Sequence, residues 1–143
     1  MIAFGNKSIL TISFENYEFK SITTHWDDFL NVNIEYCIEG RVIFKYIDAC
    51  IMTTELKGLA DRFLGFLSSD EESITIGFIE PTITFIITKE SEEPVTFSVE
   101  LEVNMNCGDY DVLKKAQVYN LKEFEQFIEI VRRESEKFPP RCK

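Results

Sequence analysis

The sequence is poor in the residues that build metal and redox sites. It has a single histidine, and its four cysteines form no C-x-x-C pair; they are Cys37, Cys50, Cys107 and Cys142. A structural zinc site needs closely spaced Cys or His ligands, so we expect no metal and no cofactor. The N-terminus also lacks the basic and then apolar stretch of an export signal. We therefore expect a cytoplasmic protein with free thiols.

Glycine, proline and long apolar runs are also scarce. The chain has six glycines and four prolines, which argues against low-complexity sequence. No apolar run approaches the roughly 18 residues that a membrane-spanning helix needs, so no membrane association is expected. At 143 residues and 45% hydrophobic composition, the chain can bury a core without disulfides. We expect a single domain over residues 1–143.

Recognised catalytic motifs are missing as well. There is no glycine-rich phosphate loop, no G-x-S-x-G elbow and no H-E-x-x-H. The densest polar–aromatic cluster is His25-Trp26-Asp27-Asp28. It could be a histidine oriented by a carboxylate for general-base catalysis. The alternative is a loop in which Trp26 packs on the core and the aspartates cap turns. The second interpretation is favoured, so no catalytic residue is assigned and no enzyme is predicted.

Alternating apolar residues predict strands in both halves of the chain. Leu30–Ile38 alternates with period two, Glu39-Gly40 supplies a tight turn, and Arg41–Ala49 returns as the partner strand. The runs Ile9–Phe14 and Tyr17–Thr24, broken at Glu15-Asn16, predict an earlier hairpin. Later strands are predicted at Ser73–Ile79, Thr82–Thr88 and Val95–Val103, with a turn over Asn104–Asp109 and a further strand at Tyr110–Tyr119.

Two helices are predicted from apolar spacings of three and four. Thr53 opens the first, whose apolar stripe comprises Leu56, Leu59, Ala60, Phe63, Leu64 and Leu67. Asn120 and Glu123 resemble a capping box for the second, whose stripe comprises Leu121, Phe124, Phe127, Ile128 and Val131. The predicted order is ββββαβββ(β)α, without strand–helix–strand alternation. This is an α+β fold with seven to eight strands, in two antiparallel sheets or one strongly bent sheet.

Acidic residues are concentrated in one quarter of the chain. The net charge is −10, and the stretch from Asp70 to Glu102 holds nine acids and one base, Lys89. Such a block repels nucleic acid and anionic lipid and attracts basic partners. Nucleic-acid binding needs a concentrated basic footprint, which this chain lacks.

Part of this acidic stretch is predicted to form a binding surface. Glu100 and Glu102 stand two residues apart on one strand, so they point the same way. In a meander they would join Thr82, Thr84, Thr88, Thr96 and Ser98 on one polar face, bordered by an acidic loop over Lys89–Pro94. The alternative is an ordinary solvated sheet face. The residues expected to share the surface are Glu80, Glu90, Glu92, Glu93, Glu100 and Glu102.

Several segments resemble the WapI-like bacterial immunity proteins. Asp27–Val32 resembles their strand-opening signature D-x-[WF]-L-x-V. Thr53-Thr54-Glu55-Leu56, with Phe63 and Leu67, is similar to their first helix, and the end Leu121–Pro139 is similar to their C-terminal helix with its F-P close. The resemblance implies a cytosolic protein that neutralises a toxin domain of a polymorphic or contact-dependent toxin. It implies no catalytic residue.

The leading hypothesis is therefore a non-enzymatic immunity protein that binds a basic toxin domain, such as a nuclease, through its acidic surface. One rival is a small-ligand-binding or scaffold domain whose acidity serves only solubility. The other is an enzyme that uses His25 with Asp27 or Asp28. The sequence leaves both rivals open.

Overall fold

The chain folds as two antiparallel four-stranded sheets, each followed by a helix. The computed structural model describes residues 1–104 and 112–141, apart from the side chain of His25. The first sheet has the order β1 (Ile2–Phe4), β2 (Ser8–Tyr17), β3 (Phe29–Ile38), β4 (Arg41–Met52), and α1 (Thr53–Leu67) follows it. The second has the order β5 (Ser73–Gly77), β6 (Ile83–Glu92), β7 (Val95–Asn104), β8 (Val112–Asn120), and α2 (Leu121–Glu136) follows it. The predicted α+β class and element order are confirmed, with two sheets and eight described strands.

The strands with the clearest alternation turn the predicted residues towards the core. In β7 the side chains of Phe97, Val99, Leu101 and Val103 are buried, and the residues between them are half-buried. β3 alternates in the same way and pairs with β4 through the Glu39-Gly40 turn. Both turn residues have positive φ, 48° and 78°, which is the conformation that a two-residue hairpin turn requires.

The predicted hairpin between Ile9–Phe14 and Tyr17–Thr24 is wrong. Glu15 lies inside β2, at a register shift against β3, and β2 ends at Tyr17. Residues 18–24 form no second strand, and the Phe19 carbonyl accepts a hydrogen bond from Arg141 Nη1 at 2.7 Å. The additional strand of the first sheet is β1, which pairs with β2. The predicted turn after Asn104, with Cys107 and Cys142, lies outside the described residues.

Glutamate side chains fix the start of each helix. Glu55 accepts a hydrogen bond from the Met52 N–H at 3.0 Å and another from the Ile79 N–H at 2.8 Å, so it also ties α1 to the second sheet. At α2 the predicted capping box is present: Asn120 and Glu123 each accept from the other's N–H at 2.9 Å. The α1 stripe differs from the prediction because Leu64 is exposed and Phe66 is buried, and the α2 stripe differs because Leu121 is exposed.

Phenylalanine rings join the two halves in one core. Phe63 of α1 lies 5.6 Å from the ring of Phe85 on β6 and 5.6 Å from the ring of Phe127 on α2. Phe4 of β1 lies 5.8 Å from Phe127 and 6.3 Å from Phe85. Both sheets and both helices therefore meet at one group of rings, and edge-to-face aromatic pairs add to the burial of their area.

Replacing Phe63 with alanine should destabilise the whole chain. The side chain is fully buried, so a cavity of this size costs about 3–5 kcal/mol of unfolding free energy. Leu64→Ala, one position along the same helix, is the control because Leu64 is exposed. Urea denaturation followed by circular dichroism would measure both. Equal losses for the two variants would contradict the central place of Phe63.

Candidate functional site

The second sheet extends past its core into an acidic hairpin. The predicted acidic loop over Lys89–Pro94 is mostly strand, because β6 continues to Glu92 and Glu92 pairs with Val95 of β7. Only Glu93-Pro94 separates the two strands, and Glu90 lies at a register shift between Lys89 and Ser91. The backbone ladder continues although its side chains no longer face an apolar core, so hydrophobic alternation could not predict it.

A second acidic segment lies beside this hairpin. The Lys89 N–H donates to the Glu72 carbonyl at 2.8 Å, and Lys89 Nζ donates to the Ser69 carbonyl at 2.7 Å. Ser73, the first residue of β5, pairs with Thr88 of β6. The loop after α1 therefore runs along the end of β6. We call the resulting group the acidic end; its residues are Asp70, Glu71, Glu72, Glu90, Glu92 and Glu93.

The charge of the acidic end is not neutralised by neighbouring bases. All of its side chains are exposed, and none takes part in an ion pair within the described part of the chain. Lys89 is the one base in the two segments, and its Nζ lies 5.2 Å above the Phe66 ring besides bonding the Ser69 carbonyl. Like charges this close produce a strong local negative potential, which is screened only by salt.

Glu100 and Glu102 lie on a different surface, the outer face of the second sheet. Thr84 pairs with Glu102 and Thr88 pairs with Ser98, so most of the predicted polar face is present. Thr82 precedes β6 and donates instead to Asp48 of the first sheet at 2.7 Å. Lys114 of β8 forms an ion pair with Glu102 at 2.8 Å. This hydrogen bond, with the charges of Glu102 and Glu100, raises the pKa of Lys114.

The six glutamates predicted to share one surface are divided among three places. Glu80 lies before β6 and Glu92 ends it, and a strand of ten residues spans about 30 Å. Glu92 pairs with Val95, which is on the inward-facing register of β7, whereas Glu100 is on the outward-facing register. Glu90, Glu92 and Glu93 stay together at the acidic end. The structure does not bring all six side chains together, because a strand separates its ends and alternates its faces, and their role in binding stays a prediction.

The aspartates of the His25 cluster bond to different partners. Asp27 accepts from the Thr23 hydroxyl at 2.6 Å and from the N–H groups of Thr23 and Thr24, and these bonds lower its pKa. It caps a turn, as the second interpretation predicted. Trp26, expected to pack on the core, has 58% of its surface exposed, and Phe19 on the same connection has 47% exposed. Nothing in the apolar pattern distinguished these exposed aromatics from core residues.

Asp28 is buried and ties three distant segments together. Its carboxylate accepts from the Thr53 hydroxyl at 2.5 Å, from the Arg141 N–H at 3.0 Å and from Arg141 Nε at 2.6 Å. Arg141 also stacks 3.9 Å above the Tyr17 ring. Burial by itself would raise the pKa of Asp28, but the hydrogen bonds from Thr53 and Arg141 and the Arg141 charge bring it below its ordinary value.

The described residues were compared with the requirements of a metal site and of a reactive thiol. Over residues 1–104 and 112–141, no group of three or more His, Cys, Asp or Glu side chains is arranged to hold a metal ion. Cys37 and Cys50 are free thiols. Burial, together with the charge of Asp48, raises the pKa of Cys50 to about 12, so its reactive thiolate is scarce. Neither described helix is long and apolar enough to cross a bilayer.

Comparison with known proteins identifies the family. The model of the immunity protein WapI-like family matches residues 1–139, nearly the whole chain. The chain therefore belongs to the WapI-like immunity protein family, which implies a toxin protein as its partner. No curated protein matches the sequence. Among solved structures, the Trypanosoma MRP1/MRP2 crystal structure aligns with 10% identity and a TM-score of 0.48, covering 95% of this chain and 82% of that one.

Asp28→Asn should destabilise the fold and flatten its acid response. Removing one partner of a buried ion pair costs about 3 kcal/mol. Because the folded-state pKa of Asp28 is lowered, the pair contributes fully above the ordinary value of 3.8 and is lost as the pH falls through the folded-state value. The difference in unfolding free energy between the native protein and the variant should thus shrink below about pH 4.

Urea denaturation at a series of pH values measures this difference. Asp27→Asn is the control, because Asp27 bonds only within an exposed turn and its loss should be smaller. A difference for Asp28→Asn that does not change with pH would contradict the role of its charge.

Proposed function

We propose that this protein neutralises its toxin by binding it directly through the acidic end. Family membership supplies the toxin as partner, and the uncompensated charge of Asp70–Glu72 and Glu90–Glu93 supports the surface and the sign of that partner. Binding in a one-to-one complex requires no catalytic residue, so the protein acts as a non-enzymatic antitoxin in the cytoplasm.

The basic partner follows from electrostatics. A toxin domain that cleaves or modifies nucleic acid needs a basic surface to hold phosphates. An acidic protein that covers this surface excludes the substrate and gains a faster encounter through charge steering.

Glu90, Glu92 and Glu93 are proposed to make the central contacts. Glu100 and Glu102 lie on the outer face of the same sheet and add only to the overall negative field, which Lys114 partly offsets. Glu80 lies at the other end of β6 and takes no part.

Reversing the charge of the acidic hairpin should abolish protection. The variant Glu90→Lys, Glu92→Lys, Glu93→Lys changes exposed side chains without ion pairs, so the fold should be retained. The matched control is Glu18→Lys, Glu125→Lys, Glu136→Lys, which makes the same change of net charge at exposed positions elsewhere. Survival of cells that express the cognate toxin domain measures the effect. Equal protection by both variants would contradict the acidic hairpin as the binding surface.

The association rate of the complex should fall steeply with salt. Steered encounters lose their advantage when the Debye length shrinks from about 30 Å at 0.01 M salt to about 8 Å at 0.15 M. Stopped-flow or surface-binding kinetics with the purified toxin domain would give the salt slope for the native protein and the hairpin variant. The slope should be shallower for the variant than for the matched control, and identical slopes would contradict electrostatic steering by the hairpin.

A further inference from the structure

The edges of the two sheets are protected to different degrees. Exposed edge strands carry unpaired backbone groups, and proteins protect them with lysines, bulges, short length or a covering segment. β4 carries Lys45 and two register shifts against β3, and β8 carries Lys114 and Lys115. β1 has only three residues and lies against β8, where the Gly5 N–H donates to Gln117 Oε1 at 3.4 Å. These three edges are therefore poor templates for an added strand.

β5 is longer than β1, and it has neither a lysine nor a register shift. Its sequence, Ser73-Ile74-Thr75-Ile76-Gly77, contains no charge and no proline, and its register with β6 is regular. Among the described residues, no backbone hydrogen bond reaches the edge of β5 that faces away from β6. The β-branched residues and the short outward side chains of Ser73, Thr75 and Gly77 suit an additional strand.

A groove follows this free edge. It lies between β5 and the C-terminal half of α1, has a volume of about 290 Å³, and is lined by Arg62, Gly65, Phe66, Glu71, Ile74, Thr75 and Ile76. Gly65 is exposed, and a Cβ atom there would meet nothing within 4 Å apart from its chain neighbours and the adjacent backbone of α1. The groove therefore has space for the inward-facing side chains of an added strand, with apolar surface from Phe66, Ile74 and Ile76 beneath them.

We propose that an extended, basic segment of the toxin pairs with β5 as a fifth strand of the second sheet. This inference rests on the proposed function and states how the partner is held. Asp70, Glu71 and Glu72 immediately precede β5, so a lysine or arginine at the matching end of the added strand would lie beside them. Backbone pairing supplies affinity and the acidic end selects the sign of charge. Arg62 is the one base of the groove, and it would repel a lysine or arginine placed against it. A neutral side chain is therefore expected at the position of the added strand that faces Arg62.

A second copy of this chain fits the edge poorly. Antiparallel pairing of two β5 strands centred on Thr75 would place Asp70 of one copy opposite Glu80 of the other. Like charges directly opposite each other are destabilising, and this contact would occur twice in a symmetric pair. The acidic flanks of β5 therefore favour a foreign, basic strand over self-association.

A peptide titration tests the pairing directly. The probe is a short synthetic peptide in which Val alternates with Lys, added to ¹⁵N-labelled protein. Saturable binding with shift changes centred on Ser73–Gly77 is expected, and a peptide with Glu in place of Lys should not bind. Gly65→Gln fills the groove and should weaken binding about tenfold or more, whereas Gly58→Gln makes the same exchange earlier on α1 and should not. Both variants replace a helical glycine, so neither should lose stability.

The outcomes separate this inference from the proposed function. No peptide binding, shift changes away from β5, or equal affinity of the two glutamine variants would overturn the strand pairing. With the toxin domain itself, Gly65→Gln that binds normally while the hairpin charge reversal does not would overturn the pairing and leave the proposed function intact. If the native protein binds the peptide at β5 but does not protect cells from the toxin, the proposed function is overturned and the pairing at β5 stands.

Discussion

The contact on which the rest of the structure depends is the meeting of aromatic rings around Phe63. Each ββββα half has a sheet whose inner face needs covering, and neither helix alone covers it. Phe85 of the second sheet and Phe127 of α2 lie against the ring of Phe63 on α1, and Phe4 of the first sheet lies against both Phe85 and Phe127. The hydrophobic area buried there is shared by both halves, so each half stabilises the other. The outer sheet faces and the strand ends are therefore not needed to form the core.

Local patterns predicted the parts of the fold whose cause is local. The alternation of β3 and β7 follows from burial on one side, and the Asn120–Glu123 capping box uses neighbouring residues. The misassigned hairpin and the continuation of β6 have non-local causes. Arg141 binds the carbonyl of Phe19 across 122 positions, and a ladder can continue beyond the core without apolar side chains. Side-chain periodicity reports burial, and it does not report backbone pairing in solvent.

The candidate site shows the same division. Glu90, Glu92 and Glu93 are close in sequence, and the structure keeps them together. Their union with the segment Asp70–Glu72 depends on two hydrogen bonds from Lys89, which no spacing rule could supply. Sequence order also placed Glu80 on the same surface, but the length of β6 separates it from the hairpin. Acidic composition thus predicts a basic partner, while strand pairing determines which acidic side chains lie close together.

The extension of the β6–β7 hairpin past the core has an evolutionary consequence. Its backbone is held by the ladder between Glu92 and Val95, whereas the side chains of Glu90 and Glu93 project into solvent. Exchanges at such positions change stability by little, typically within about 0.5 kcal/mol. Under the proposed function, recognition can therefore change at these positions while the aromatic core stays the same. Such a protein can then acquire affinity for a different toxin through a few surface substitutions, without a compensating substitution in the core.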